Sequence, residues 1–209
     1  SDLNSAGYPN PSLLVTPASQ NERVPLDYAM DPNVVNDPAY SSTIIQGLES
    51  IPTISLTVDP SKIFGTNGFY ETNDIDLPVS AALIDLAHPQ DNFQINAAIS
   101  GNSHPDLKRA FKLTFKSGFG PTKLQSNIFK DAILGGDSAT DTFDSIILRA
   151  GNNRSWAHDS THIGAATFTE DEWMRQTQLA MTGEESHGQF VQLYINGLYW
   201  GLYNPVERP

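Results

Sequence analysis

Val191-Gln192-Leu193-Tyr194-Ile195-Asn196-Gly197-Leu198-Tyr199-Trp200-Gly201-Leu202-Tyr203 is the stretch on which the fold turns. Two apolar and aromatic runs, 189–195 and 198–203, flank Asn196-Gly197. A two-residue hairpin turn whose twist matches its strands needs positive φ at both central residues, and Asn followed by Gly tolerates this best. The stretch therefore predicts an antiparallel β-hairpin near the C-terminus.

The strand pattern continues upstream. Ile54-Ser55-Leu56-Thr57-Val58 alternates apolar and polar, as a half-buried strand does, and Asp59-Pro60 stops it. Ser61-Lys62-Ile63-Phe64 reads as one helical turn, and 65–68 as a turn cluster. Residues 79–86 and 93–99 read as two strands joined by His88-Pro89-Gln90-Asp91-Asn92, an antiparallel pair. In 110–116, Phe111, Leu113 and Phe115 fall on one face and Ala110, Lys112, Thr114 and Lys116 on the other. Residues 143–150 have a nearly continuous apolar centre, which predicts a strand covered on both sides. Thr169-Glu170-Asp171-Glu172 has the form of a capping box. It predicts a helix over about 170–181, ended by Gly183, with Trp173, Met174, Thr177, Ala180 and Met181 as the apolar stripe that packs on the sheet. The fold class is thus α+β: a predominantly antiparallel sheet, one main helix and a C-terminal hairpin.

Residues 1–50 read differently. Pro9, Pro11, Pro17, Pro25, Pro32 and Pro38 remove backbone donors and fix φ. The segment is expected to be an extended arm or linker, with a short helix around 41–48, and 51–209 to be the folded domain. The chain opens at Ser1 without Met, so whatever came first is expected to have been removed.

Composition narrows the function classes. The 209 residues carry a net charge of −12 and no cysteine. Thiolate metal sites, cysteine nucleophiles and disulfides are excluded. An acidic chain is a poor nucleic-acid partner, because phosphates need a basic face. No apolar run approaches the ~18 residues of a membrane-spanning helix. Low charge with abundant Asn, Ser, Thr, Gly and Pro is typical of secreted bacterial proteins.

Few motifs carry chemistry. The sequence has no Gly-x-Ser-x-Gly, His-Glu-x-x-His, Walker loop or Gly-x-Gly-x-x-Gly. His158 and His162, four apart beside Asp159, read as surface groups rather than metal ligands. Gly135-Gly136-Asp137 with Asp141 and Asp144, and Asn73-Asp74-Ile75-Asp76, read as solvated acidic loops rather than Ca²⁺ sites. Asn153-Arg154-Ser155 matches a glycosylation triplet. The scarce cations say more: Lys108, Arg109, Lys112, Lys116 and Lys123 are five of the chain's 12. Lys112 and Lys116 share one strand face, which could hold a phosphate or another polyanion, or simply balance acidic neighbours.

Several of these stretches resemble the spore-coat protein H (CotH) kinase family. They are Lys108–Lys116, the strand Ser145-Ile146-Ile147-Leu148-Arg149 leading to Asn152, the helix Glu172-Trp173-Met174-Arg175-Gln176, and 54–65. The most specific is Val191 through Glu207, with its Asn-Gly, Tyr-Trp-Gly-Leu-Tyr and Val-Glu. Two positions depart from the family pattern: Ala110 for Ser, and Ala82 for an acidic residue. The resemblance covers about 51–209 and implies the N-terminal lobe of an atypical protein kinase in a large secreted bacterial protein. Such kinases use ATP and a divalent metal, with catalytic and metal-binding aspartates expected beyond Pro209. It implies a phosphate-facing role for Lys112, with Glu172 or Arg175 as neighbour, and nucleotide-proximal roles for Lys116 and Arg149. The expected partners are a following catalytic lobe or upstream domains; the lobe by itself is expected to be catalytically silent. The alternative is an extracellular structural or interaction module that self-assembles through its arm and the edge of the final hairpin. Carbohydrate binding by Trp and Tyr stays open, with no feature selecting it.

Overall fold

Asn196 and Gly197 adopt φ of 51° and 79°, the pair of left-handed conformations that the hairpin requires. They join β10 (Val191–Ile195) to β11 (Leu198–Glu207) in the computed structural model. The hairpin is interrupted once. Leu193 faces Gly201 and Tyr194 faces Tyr199, so Trp200 is the extra residue of a bulge, and Gly201 at φ 116° supplies the backbone bend. The structure describes residues 29–64, 67–70, 72–102, 108–130, 136–151 and 166–208, together with the backbone of two short strands, β1 (Leu14–Val15) and β2 (Val24–Pro25).

The hairpin is part of a larger sheet. β3 (Thr53–Thr57), β4 (Leu77–Ile84), β5 (Phe93–Asn102), β6 (Ala110–Thr114) and β9 (Ser145–Arg149) join it in a seven-stranded closed barrel. The order around the barrel is β3-β4-β5-β6-β9-β11-β10. Every pairing is antiparallel except β10 with β3, the parallel seam that closes the ring. Asn196 reinforces that seam. Its side chain accepts from the Val58 amide and donates to the Val58 carbonyl, both at 2.9 Å, so one residue serves the turn and extends the ladder. A small separate pair, β7 (Leu124–Gln125) with β8 (Thr142–Phe143), lies outside the ring.

Period-two alternation sends one set of side chains inward. Ile54 and Leu56, Val79, Ala81 and Leu83, Phe111 and Leu113, Ile146 and Leu148, and Val191, Leu193 and Ile195 are all buried in one continuous core. Tyr203 is the polar-tipped member. Its ring stacks on Phe111 with centroids 6.0 Å apart, and its hydroxyl donates to the Arg109 carbonyl at 2.7 Å. This gives the buried hydroxyl the partner it needs.

Four sequence expectations need correction. The strand read over 143–150 is broken at Asp144 into β8 and β9, and β9 is not covered on both sides. Ile146 and Leu148 point inward, while Ile147 is half-buried and Arg149 exposed. The main helix, α3 (Glu170–Thr182), follows α1 (Pro32–Val35) and α2 (Ile44–Glu49), and ends as expected at Gly183 with φ 72°. Its buried face, however, is Glu172, Gln176 and Leu179, while Trp173, Met174 and Met181 are 63%, 57% and 79% exposed. Residues 172, 176 and 179 recur at helical spacing; the face is chosen by polar bonding to β11, described below. Nor does the capping box form. Thr169 donates its hydroxyl to Thr167 O at 3.0 Å, and Glu172 is engaged elsewhere. The hairpin also offers no free edge, since β10 bonds β3 and β11 bonds β9. Residues 29–50 hold α1 and α2 and bury no side chain.

A candidate anion-binding face

β6 carries Lys112 between Ser100 of β5 and Ile147 of β9, and Ile147 in turn faces Val206 of β11. Because Phe111 and Leu113 point into the barrel, Lys112 points out of it. It is half-buried, and its ammonium has no hydrogen bond or ion pair among the described residues. Its pKa lies below the ordinary lysine value, chiefly because burial disfavours the charge. Arg208 pushes it down as well, Asp76 opposes this, and Lys116 adds a further downward push. Three cations therefore share one part of an acidic protein. Lys116 is bonded to the Asp76 carboxylate, and its ammonium lies 5.3 Å from the Phe119 ring centroid. Among the described residues Lys112 and Arg208 have no ion-pair partner, and of these two Lys112 is the half-buried one.

Arg149, Glu172 and Arg175 form a second group around α3. Asp171 bridges the two arginines, accepting from Arg149 Nε at 2.6 Å and Arg175 Nη1 at 2.7 Å. Arg175 Nη2 donates to Glu172 Oε2 at 2.6 Å and to Asn204 Oδ1. Glu172 is 7% exposed and also accepts from Gln176 at 2.6 Å and Asn204 at 2.9 Å. Asn204 Nδ2 further donates to Gln189 O at 3.0 Å. A buried carboxylate is tolerable only when paired and hydrogen-bonded; here the network meets that need and fastens α3 to β11. Arg175 Nε is a buried donor with no partner among the described residues. Gly188 makes the approach possible, since a Cβ there would lie 2.6 Å from Glu172 Oε2.

The five residues singled out in the sequence thus fall into two sets. Lys112 and Lys116 stand on the barrel wall. Arg149, Glu172 and Arg175 join through Asp171 and Asn204. Lys112 forms no bond to Glu172 or Arg175; the carboxylate is taken by Arg175, its helix neighbour three residues on. Sequence reasoning missed Arg208, Asn204 and the setting of Lys108. Arg208 was legible as another scarce cation just past the Val-Glu pair. Lys108 carried no signal of burial, yet its ammonium sits 4.5 Å from the Phe168 ring centroid and 4.9 Å from that of Tyr203, and donates to the Leu202 carbonyl. Burial lowers its pKa to about 8.

Of the acidic loops, Asp76 pairs with Lys116 and Asp144 with Lys123, the latter at 2.7 Å. His158, His162 and the 153–155 triplet lie outside the described residues, as does Gly135. Among the described residues no group of three His, Asp or Glu side chains is arranged to hold a metal ion. No helix among them is long and apolar enough to cross a membrane. No protein-family model matches the chain, and no curated protein matches it either.

Proposed function

We propose that this chain is the nucleotide-proximal lobe of a CotH-like kinase in a secreted bacterial protein, and that it supplies a cationic wall for the phosphates of ATP. The observation that carries this reading is Lys112: an outward, half-buried lysine without an ion-pair partner among the described residues, next to Lys116 and Arg208. An anion there would relieve the repulsion among the cations and form charge-assisted bonds, the strong kind. The resemblance of 108–116 and 191–207 to the CotH family supplies the choice of ATP among anions. Phosphoryl transfer is largely positioning and charge neutralisation. On this reading the lobe positions phosphates and performs no transfer by itself, because metal and base come from another part of the kinase. Isothermal titration of the chain with ATP tests it. Saturable binding that Lys112→Ala weakens about tenfold, with the fold intact, is the expected result; equal affinity in the two proteins overturns it.

A second reading, a self-associating module, draws support from Trp173, Met174 and Met181, exposed together on α3. Concentration-dependent association that Trp173→Ser abolishes, in a chain that ignores ATP, would favour it.

A further inference from the structure

Outside that face, three residues far apart in sequence meet at one point. Ser138 ends the 3-10 turn Gly136–Ser138 and is exposed. Its Oγ lies 3.0 Å from Nε2 of His187. His187 is 5% exposed, and its Nδ1 lies 2.8 Å from Oε2 of Glu207, the last residue of β11. We propose that Ser138, His187 and Glu207 form a nucleophilic serine site that cleaves a short-chain carboxylic ester.

The backbone holds the relay in place. The Glu207 amide donates to His187 O at 3.0 Å, and the His187 amide donates to Glu207 Oε2 at 3.1 Å, beside the Gly188–Val206 bridge. Glu207 Oε1 accepts from the Thr140 amide at 3.3 Å. The carboxylate is thus fixed against one imidazole nitrogen. That nitrogen must carry a proton to meet an ionised carboxylate, so in the neutral ring Nε2 turns its lone pair to Ser138. This is the arrangement by which a base oriented by a third group activates a weak nucleophile, and it is defined by geometry and role rather than by chain order. Glu207 also lines a cleft of about 500 Å³ with Thr140, Phe143, Ser145 and Ser186, while Ser138 and His187 stand outside its lining. Asp144, Glu184 and Glu185 line it too, against Arg208, so the field beside the relay favours an ester that is neutral or cationic.

The chemistry closes with water as co-reactant. Ser138 Oγ bonds to the ester carbonyl carbon while its proton passes to His187 Nε2. The carbonyl carbon–alkoxy bond then breaks, and the alkoxide leaves as the alcohol with that proton. Water, deprotonated by His187, adds to the acyl carbon; the carbon–Oγ bond then breaks, Oγ takes the proton back from His187, and the carboxylic acid departs. Glu207 is a positioning residue that keeps the imidazole in this orientation.

The full chain is treated with a fluorophosphonate and, separately, with p-nitrophenyl acetate. Phosphonylation forms an Oγ–P bond and expels fluoride. One adduct on Ser138 is expected by peptide mass mapping, with p-nitrophenol released above the buffer rate. Ser138→Ala should lose both. At unchanged melting temperature, His187→Gln and Glu207→Gln should slow the labelling of Ser138 at least about 100-fold, the usual scale of general-base help. A wild-type chain with no adduct on Ser138 overturns the proposal whatever the variants do. So does labelling that proceeds at the same rate in folded His187→Gln.

Discussion

Lys108 shows what a single side chain can hide from sequence. It stands in a run of basic residues that reads as a solvated strand face, yet it is enclosed by Phe168 and Tyr203 with a pKa near 8. Desolvation disfavours the ammonium, and the ring faces offset part of that cost. Since the folded pKa lies below the unfolded one, the unfolded chain binds more protons between about pH 8 and 10.5. Stability should therefore rise across that window, by up to roughly 3 kcal/mol, and be independent of Lys108 below it. Denaturant melts at pH 7.5 and 10.5 should show this rise in the wild type and lose it in Lys108→Met; a rise unchanged by the substitution would refute the assignment. At this scale Phe111, Leu113 and Lys112 were legible, because alternation alone sorts them to opposite faces. The environment of Lys108 was not, since its ring partners lie 60 and 95 positions further along the chain.

The helix tells a related story at the level of the element. Its span was legible from Thr169-Glu170-Asp171-Glu172 and Gly183, but its orientation was not. Hydrophobicity nominated Trp173, Met174 and Met181, whereas the buried face is set by Glu172, Gln176 and Leu179. No local pattern reveals that Glu172 will find Asn204 on a strand 32 residues away. Removing one partner from a buried, hydrogen-bonded charge network leaves the others unpaired, at about 3–5 kcal/mol. Glu172→Ala should accordingly destabilise the protein by about that amount, while Trp173→Ser should stay within ~0.5 kcal/mol, as exposed positions do. Urea melts of the two variants decide the matter, and the reverse ranking would restore the apolar-stripe view. Gly188→Ala should cost about 1–3 kcal/mol by overpacking, because its methyl would meet Glu172 Oε2, Val206 Cγ1 at 2.9 Å and Pro205 O at 3.0 Å. A melting curve matching the wild type would place Gly188 outside this contact.

For the whole molecule, local signals supplied the strands and both hairpins but not the closure. The parallel seam joins β3 to β10, more than 130 residues apart, and neither strand carries a mark that names its partner. Closure leaves the hairpin without an open edge, and Ser100, Lys112, Ile147 and Val206 form a row across the barrel in which Ser100 and Val206 are buried and Lys112 and Ile147 half-buried. Two amides report the seam: Gln192 donates to Pro52 O at 2.9 Å and Asn196 to Leu56 O at 2.8 Å. In hydrogen exchange both should be protected as strongly as amides within β5; rapid exchange at both would mean an open sheet. The cationic wall itself is tested most directly by following backbone amide shifts during an ATP titration of wild type and Lys112→Ala. The account predicts saturable shifts centred on Ser100, Lys112, Ile147 and Arg208 in the wild type, and their loss in the variant. Shifts centred elsewhere, or unchanged by Lys112→Ala, would contradict it.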